Sequence, residues 1–340
     1  VPTFCRHGRF LERCPICSKT LPGNAPARRP GGGSGASAAR RPAGPGERAP
    51  TAPRRRGGAG AGLRVSRQQR AAEDGYSSPL LPGVRASADA ARLADEVAFA
   101  NGRLLALGGD PSARGLPDFY AQLRARAAED SEQVTWACFL TAYLCPLEGP
   151  EPFAGIRLAL RLDRDELTDL SEVPIGPRSS YVPARASQTL RAYHGWCAQA
   201  GSQAAAFSGD PSWTAERRFE RVYERLALPG LSGVARYELL VLLGSLGVYE
   251  LRAPSLQLAG ARAVAAQDST ALAAKRIFAI GDPLLLERRA AALAAAIPVP
   301  IAALDLALWN WAATERATLG FPPDAADADT RELARAALGL

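Results

Sequence analysis

The sequence predicts an all-α body, and three observations carry that prediction. Apolar residues recur at helical spacing through most of residues 85–340, with Ser, Thr, Asp or Pro at the head of nearly every run. Strand-like alternation is convincing only over 156–162. No repeat period is visible, so about ten helices are expected to share one domain instead of forming a solenoid.

The elements follow from their caps and apolar faces. Ser87 or Asp89 starts a helix running toward Leu105. Asp118 heads one carrying Phe119, Tyr120 and Leu123, and Ser131 heads another with Val134, Trp136, Phe139 and Tyr143. Ser187 opens a helix through Leu190, Tyr193 and Cys197, and Ser212 leads one through Phe219, Val222 and Leu226. An apolar helix covers 237–246, and Asp268 with Ser269 and Thr270 caps the next. Asp282-Pro283 places an N-cap before a proline at the first helical position, where its missing N–H costs nothing. Pro300 precedes a helix carrying Leu304, Leu308 and Trp311, and Thr330 begins the last.

Ahead of the body the chain reads differently. Residues 21–62 are Pro, Gly, Ala, Ser and Arg with hardly an aliphatic side chain, too little apolar surface to offset the entropy of ordering. The expected division is a zinc-binding module at 1–20, a disordered linker at 21–84 and a helical domain at 85–340. The arginine clusters at 28–29, 40–41 and 54–56 make the linker a basic tether. A solubilising spacer and a non-specific nucleic-acid arm are compatible readings of it.

Cys5, His7, Cys14 and Cys17 form a C-x-H-x6-C-x2-C pattern. Few apolar residues surround them, so a bound metal has to supply the folding energy, and Cys₃His suits a closed structural zinc site. The alternative, a redox CxxC or a disulfide pair, lacks a surrounding βαβ pattern and a signal peptide. No apolar run approaches the roughly twenty residues of a membrane span. A cytoplasmic, nucleoid-associated protein with reduced thiols is therefore expected.

The net charge of +7 is unevenly divided. Residues 1–19 carry +3 and residues 20–72 carry +10, which leaves −6 for residues 73–340. Attraction to a polyanion is thus concentrated in the N-terminal quarter. Lysine occurs only at 19 and 275, and the arginine- and alanine-rich usage is a coding bias without mechanism.

Function is legible in Leu228-Pro229-Gly230-Leu231-Ser232-Gly233-Val234-Ala235, between two amphipathic helices. One Pro and two Gly make a tight hairpin whose backbone N–H groups point outward at the start of the second helix. Such a terminus holds a phosphate without reading sequence; the plain alternative is an ordinary helix–helix turn. The stretch resembles the helix-hairpin-helix of the DNA glycosylase superfamily, whose usual form is Leu-Pro-Gly-apolar-Gly. Leu228 to Leu231 match; Ser232 stands where the second Gly is usual, and Arg236 where Ala is common. The resemblance implies DNA contact by Gly230, Leu231, Ser232, Gly233 and Arg236.

That resemblance also implies an acid at the mouth of a pocket for an extruded base. Glu250 is nearest to the expected spacing, while Asp268 has the better context. Lys275 lies seven residues further on, so the two share a helical face and Lys275 is placed to meet a phosphate or an intermediate. An N-cap for Asp268 and a solvated Lys275 are the structural alternatives. Together with the CxH…CPIC start and the 268–294 and 304–312 segments, the chain is similar to the α-glutamyl/putrescinyl thymine pyrophosphorylase family. The resemblance implies displacement of pyrophosphate from a flipped, activated base by an amine, with Arg236, Lys275, Arg276, Arg288 and Arg289 as the cations. A monofunctional glycosylase and a non-catalytic DNA-binding adaptor are the alternatives. Tyr193, His194 and Trp196 read as helix packing or as a stacking platform, Trp309 and Trp311 as core, and Cys138, Cys145 and Cys197 as buried thiols. The acidic run from Asp163 to Glu172 reads as a connector, since it lacks calcium-loop spacing.

Overall fold

The computed structural model describes residues 71–162, 173–259, 262 and 268–340, all within the compact unit Arg64–Leu340. Twelve α-helices and no strand are present among the described residues. They are α1 (Ser87–Gly108), α2 (Asp118–Arg126), α3 (Ser131–Leu144), α4 (Ala154–Arg161), α5 (Ala186–Ala200) and α6 (Gln203–Ser208). The remaining six are α7 (Ala215–Arg225), α8 (Gly233–Ser245), α9 (Ser269–Phe278), α10 (Pro283–Ala296), α11 (Ile301–Ala312) and α12 (Ala328–Leu338). The all-α class is thus as expected from the sequence. No single described helix is long and apolar enough to cross a membrane.

Helix α1 forms the spine, packed on α11 and α12; α9 packs on α11, and α3 on α8. Helices α8 and α11 are buried nearly all round, as their uniformly apolar sequences require. Trp309 and Trp311 lie in the core. Tyr193 is fully buried, stacks on Phe139 with centroids 3.9 Å apart, and donates its hydroxyl to Gln203 Oε1 at 2.7 Å. The Tyr193 face of α5 is therefore packing. Cys138, Cys145 and Cys197 are buried, and burial pushes the Cys145 thiol up to about 12.

Three local expectations need correction. The stretch expected to alternate as a strand is helical over 156–161, within α4, and only Leu162 beyond it is extended. The buried residues of α4, Gly155, Ile156 and Ala159, follow helical spacing, while Leu158, which an inward strand face would have covered, is 48 % exposed. Alternating Leu and Ile on an Ala- and Arg-rich segment satisfy both periods, and helix propensity with no strand partner decides the outcome. Residues 71–84, assigned above to the linker, pack on the body. Leu81 is fully buried, Gly83 donates its N–H to Ile277 O at 2.8 Å, and the Tyr76 hydroxyl donates to Leu338 O at 2.7 Å. Caps also move: Asp130, not Ser131, caps α3, Thr214, not Ser212, caps α7, and Asp327 caps α12 ahead of Thr330. Helices α1, α2 and α5 begin without a side-chain cap from Ser87, Asp89, Asp118 or Ser187.

A chain of buried charges ties these helices together. Arg103 on α1 reaches Glu238 on α8 at 2.6 Å, and Arg178 reaches the other Glu238 oxygen at 2.9 Å. Arg178 also pairs with Asp305 on α11. Arg262 then bridges Asp305 at 2.8 Å and Asp268 at 2.7 Å. Three guanidiniums face three carboxylates, and no side chain in the chain is more than 4 % exposed. Desolvation alone would raise the Asp305 pKa, but Arg262 and Arg178 outweigh it and hold it below the usual carboxylate value. A depressed folded-state pKa gives stability that is present above the unfolded value near 4 and is lost as pH falls through the folded one. Melting temperature should hence stay flat from neutrality to about pH 5 and fall steeply below about pH 4, as a thermal melt at stepped pH would record.

Candidate nucleic-acid interface

The 228–235 hairpin forms because its residues allow only one compact turn. Leu231 donates its N–H to Leu228 O at 3.2 Å, closing a four-residue turn with Pro229 and Gly230 at its centre. Proline presets the first central position, and Gly230 takes a φ of +78°, the type II arrangement that disfavours any residue with a Cβ. A Cβ at Gly230 would also lie 2.0 Å from Thr189 Oγ1 on α5. The bend is consequently seated against α5, with Gly230 only partly accessible, Pro229 exposed at its tip and Ser232 exposed at the head of α8.

Ser232 performs two tasks. Its Oγ caps α8 by accepting from Ala235 N at 3.2 Å, and it lies 2.5 Å from Ser180 Oγ. Its own N–H donates to Ser180 Oγ at 3.1 Å. A serine at the position where glycine is usual is thus accommodated as an N-cap anchored to the 173–182 loop.

Hydrogen-bond accounting then identifies what is left for a ligand. The amides of Leu231, Ser232, Ala235 and Arg236 are spent on the turn, on Ser180, on the cap and on Ser232 O. Those of Gly230, Gly233 and Val234 have no acceptor among the described residues. Two of them open the thirteen-residue helix α8, where unpaired donors and the helix dipole favour an anion.

Behind this terminus the cations are committed elsewhere. Arg236 is buried; it lies 4.6 Å above the Tyr223 ring and donates to Tyr223 O at 3.1 Å. It braces α8 on α7 and is not the surface phosphate contact expected from the sequence. Gly233 is glycine for want of space: a Cβ there would meet Arg262 Cγ at 2.8 Å and the Tyr223 hydroxyl at 3.0 Å. Leu231 is buried too and serves packing.

The expected acid does lie beside the hairpin, though not in an accessible form. Asp268 is linked to it through Arg262, but only 6 % of its surface is exposed. Its oxygens accept from Arg262 Nε at 2.7 Å, Arg262 Nη2 at 3.2 Å and Ala271 N at 3.0 Å. As placed, it is a helix cap and an ion-pair partner. Lys275, on α9, is half-buried, whereas Glu250 stands with its side chain 84 % exposed and 3.2 Å from Arg218. Asp268, Lys275 and Glu250 are therefore not gathered on one cavity. Arg276, Arg288 and Arg289 are exposed.

The proposed zinc ligands Cys5, His7, Cys14 and Cys17, the tether clusters and the acidic run 163–172 lie outside the described residues. Among the described residues no group of three or more His, Cys, Asp or Glu side chains could hold a metal ion. Sequence reasoning missed Ser180, Arg178, Arg262 and Asp305. A signal for the last existed, since a lone Asp305 within IAALDLALWNW, like Glu238 within an apolar helix, must be buried and paired. Nothing local marked Ser180 or Arg262. No family model, curated protein or solved structure matches the chain.

Proposed function

We propose that this chain acts on DNA, with the 228–235 hairpin holding the sugar-phosphate backbone, as a helical protein resembling the base-modifying branch of the helix-hairpin-helix glycosylases. The observation that supports this reading is the trio of unspent amides at Gly230, Gly233 and Val234. Residues 73–340 carry a net charge of −6, so cation patches alone would not draw DNA to them. Neutral amides at a helix terminus need no net positive charge to bind phosphate. The zinc-ligand cluster and the arginine tether would add the long-range attraction, and zinc would be structural.

The chemistry implied by the resemblance is extrusion of a base and displacement of pyrophosphate from it. Lys275, Arg288 and Arg289 near the surface of α9 and α10 are the side chains that remain for the leaving diphosphate. One observation favours a second reading, a non-catalytic DNA-binding adaptor: Asp268 is held by Arg262 on both oxygens, so it is poorly disposed to act as a base. Products separate the cases. Pyrophosphate release from an intact strand marks modification, free base and an abasic site mark hydrolysis, and neither marks an adaptor.

The binding claim is tested by the affinity of the full chain, and of a chain lacking residues 21–62, for a duplex of random sequence at stepped salt. The deleted segment holds eight arginines, each worth up to about 0.9 in the log–log salt slope if it meets a phosphate. Affinity and slope should both drop sharply, leaving a weaker residual binding with a shallow slope that belongs to the hairpin. Complete loss of binding on deletion would contradict a role for the hairpin.

A further inference from the structure

A cavity of about 580 Å³ opens between the 115–118, 148–152 and 318–323 segments, within the size range of small-molecule sites. None of the residues described in its wall belongs to the 228–235 hairpin or to α8, so it is independent of the DNA reading. Aromatic packing ties the three segments together. Phe119 stacks on Phe153 with centroids 4.4 Å apart, Tyr120 stacks on Phe321 at 5.2 Å, and the Tyr120 hydroxyl donates to Leu319 O at 2.9 Å. The cavity is therefore preformed.

Its charge and hydrogen-bonding character are one-sided. Asp118 and Glu148 are exposed in the wall, and no Lys or Arg stands among the described residues that line it. Two full negative charges outweigh the roughly half positive charge at the start of α2. Five of the thirteen lining residues are prolines, at 117, 150, 152, 322 and 323, and each brings a carbonyl but no N–H. The carbonyls of Gly149, Pro150 and Gly320 accept no hydrogen bond among the described residues. Thr318 adds a buried acceptor. It lines the cavity and is only 2 % exposed, yet its hydroxyl has no partner among the described residues. That hydroxyl is not one of the unpaired polar atoms sealed from solvent, so the sliver of Thr318 left accessible includes it.

Such a wall suits a cation that donates hydrogen bonds. Among the described residues the two acids belong to no group that could hold a metal ion, which points to an organic cation. A guanidinium fits better than an ammonium. It is planar and weakly hydrated, so it lies against proline rings at little desolvation cost, and its fork of N–H donors reaches several acceptors at once. We propose that this cavity binds a guanidinium group, with Asp118 and Glu148 meeting its charge and Thr318 Oγ1 accepting one N–H. A free arginine-like molecule and an arginine side chain of another protein present the same chemistry to it.

Arginine and citrulline are matched probes, alike in shape except that a neutral urea replaces the guanidinium in the second. Calorimetric titration of the full chain should show saturable binding of arginine, at least tenfold tighter than citrulline and clearly tighter than lysine. A blocked pentapeptide with one central arginine separates the sources. Tighter binding than free arginine marks a protein side chain as the ligand, and weaker binding marks a small molecule. Glu148→Gln should weaken arginine at least fivefold and leave citrulline unchanged, a pattern that a merely structural role does not give. Thr318→Val keeps the shape and removes a hydroxyl with no partner to lose, so melting temperature should hold while arginine affinity falls. Citrulline binding as tightly as arginine would overturn the proposal, as would no arginine binding at millimolar concentration to chain shown by melting to be folded. Lysine matching arginine would overturn the guanidinium assignment, and arginine binding unchanged in both variants would overturn the location.

Discussion

Asp305→Ala should destabilise the helical body by about 3–5 kcal/mol, well beyond the roughly 1 kcal/mol that loss of a helix cap costs. Among the described residues Asp305 is the one anion shared between Arg178 and Arg262, and all three side chains are at most 2 % exposed. Removing it leaves two buried guanidiniums with a carboxylate on one side only, at a depth where solvent is a poor substitute. The cost is dominated by that uncompensated charge and not by the lost attraction. Arg262 would keep Asp268 and Leu256 O, and Arg178 would keep Glu238. Local loosening should thus centre on α11, where it meets α1 and α9. Denaturant unfolding measures the effect. Asp305→Asn, which keeps the shape and can still accept, should cost less than Ala, and an equal cost for the two would count against a charge-based account.

Ser232→Asp is expected to separate stability from DNA affinity. Aspartate caps a helix as well as serine does, and its charge is favoured by the α8 dipole. It can also accept from the Ser180 hydroxyl, which lies 2.5 Å from Ser232 Oγ. Melting temperature should therefore hold or rise slightly. The same carboxylate would occupy the mouth of the Gly230, Gly233 and Val234 amides and repel an incoming phosphate. Affinity for duplex should fall at least tenfold, about 1.4 kcal/mol. Ser232→Ala makes the opposite trade: it gives up the cap, at a cost of about 1 kcal/mol, but leaves the three amides open, and it should keep most of its DNA affinity. An ordering of affinities that simply follows stability would show that the hairpin contributes only structure.

Much of the fold is readable in the sequence because capped amphipathic runs report on themselves. Asp282-Pro283 and Pro300 mark the starts of their helices, and Asp268 is the cap that its context allows. The departures share a cause. A short segment such as 154–161 satisfies two periodicities at once, and only its packing on α3 decides between them. Residues 71–84 carry too little pattern to show that Leu81 fills a core position. The site is legible only in part. Pro229 and Gly230 state their turn in the sequence, since one presets φ and the other permits a positive one. That Arg236 folds back onto Tyr223, and that Arg262 claims both the space beside Gly233 and the Asp268 carboxylate, depends on tertiary neighbours far apart in the chain. A lone acid beside a hairpin looks the same in sequence whether it is open to substrate or tied to an arginine.

Backbone amide shifts of the isotopically labelled full chain, recorded while a short duplex of random sequence is added at low salt, address the phosphate-holding role most directly. The Gly230, Gly233 and Val234 signals should move together, saturate with the duplex and return as salt is raised, while the Leu231 and Ala235 amides, already bonded within the hairpin, move far less. Stationary signals at those three residues, with perturbations confined to the arginine tether, would contradict the account.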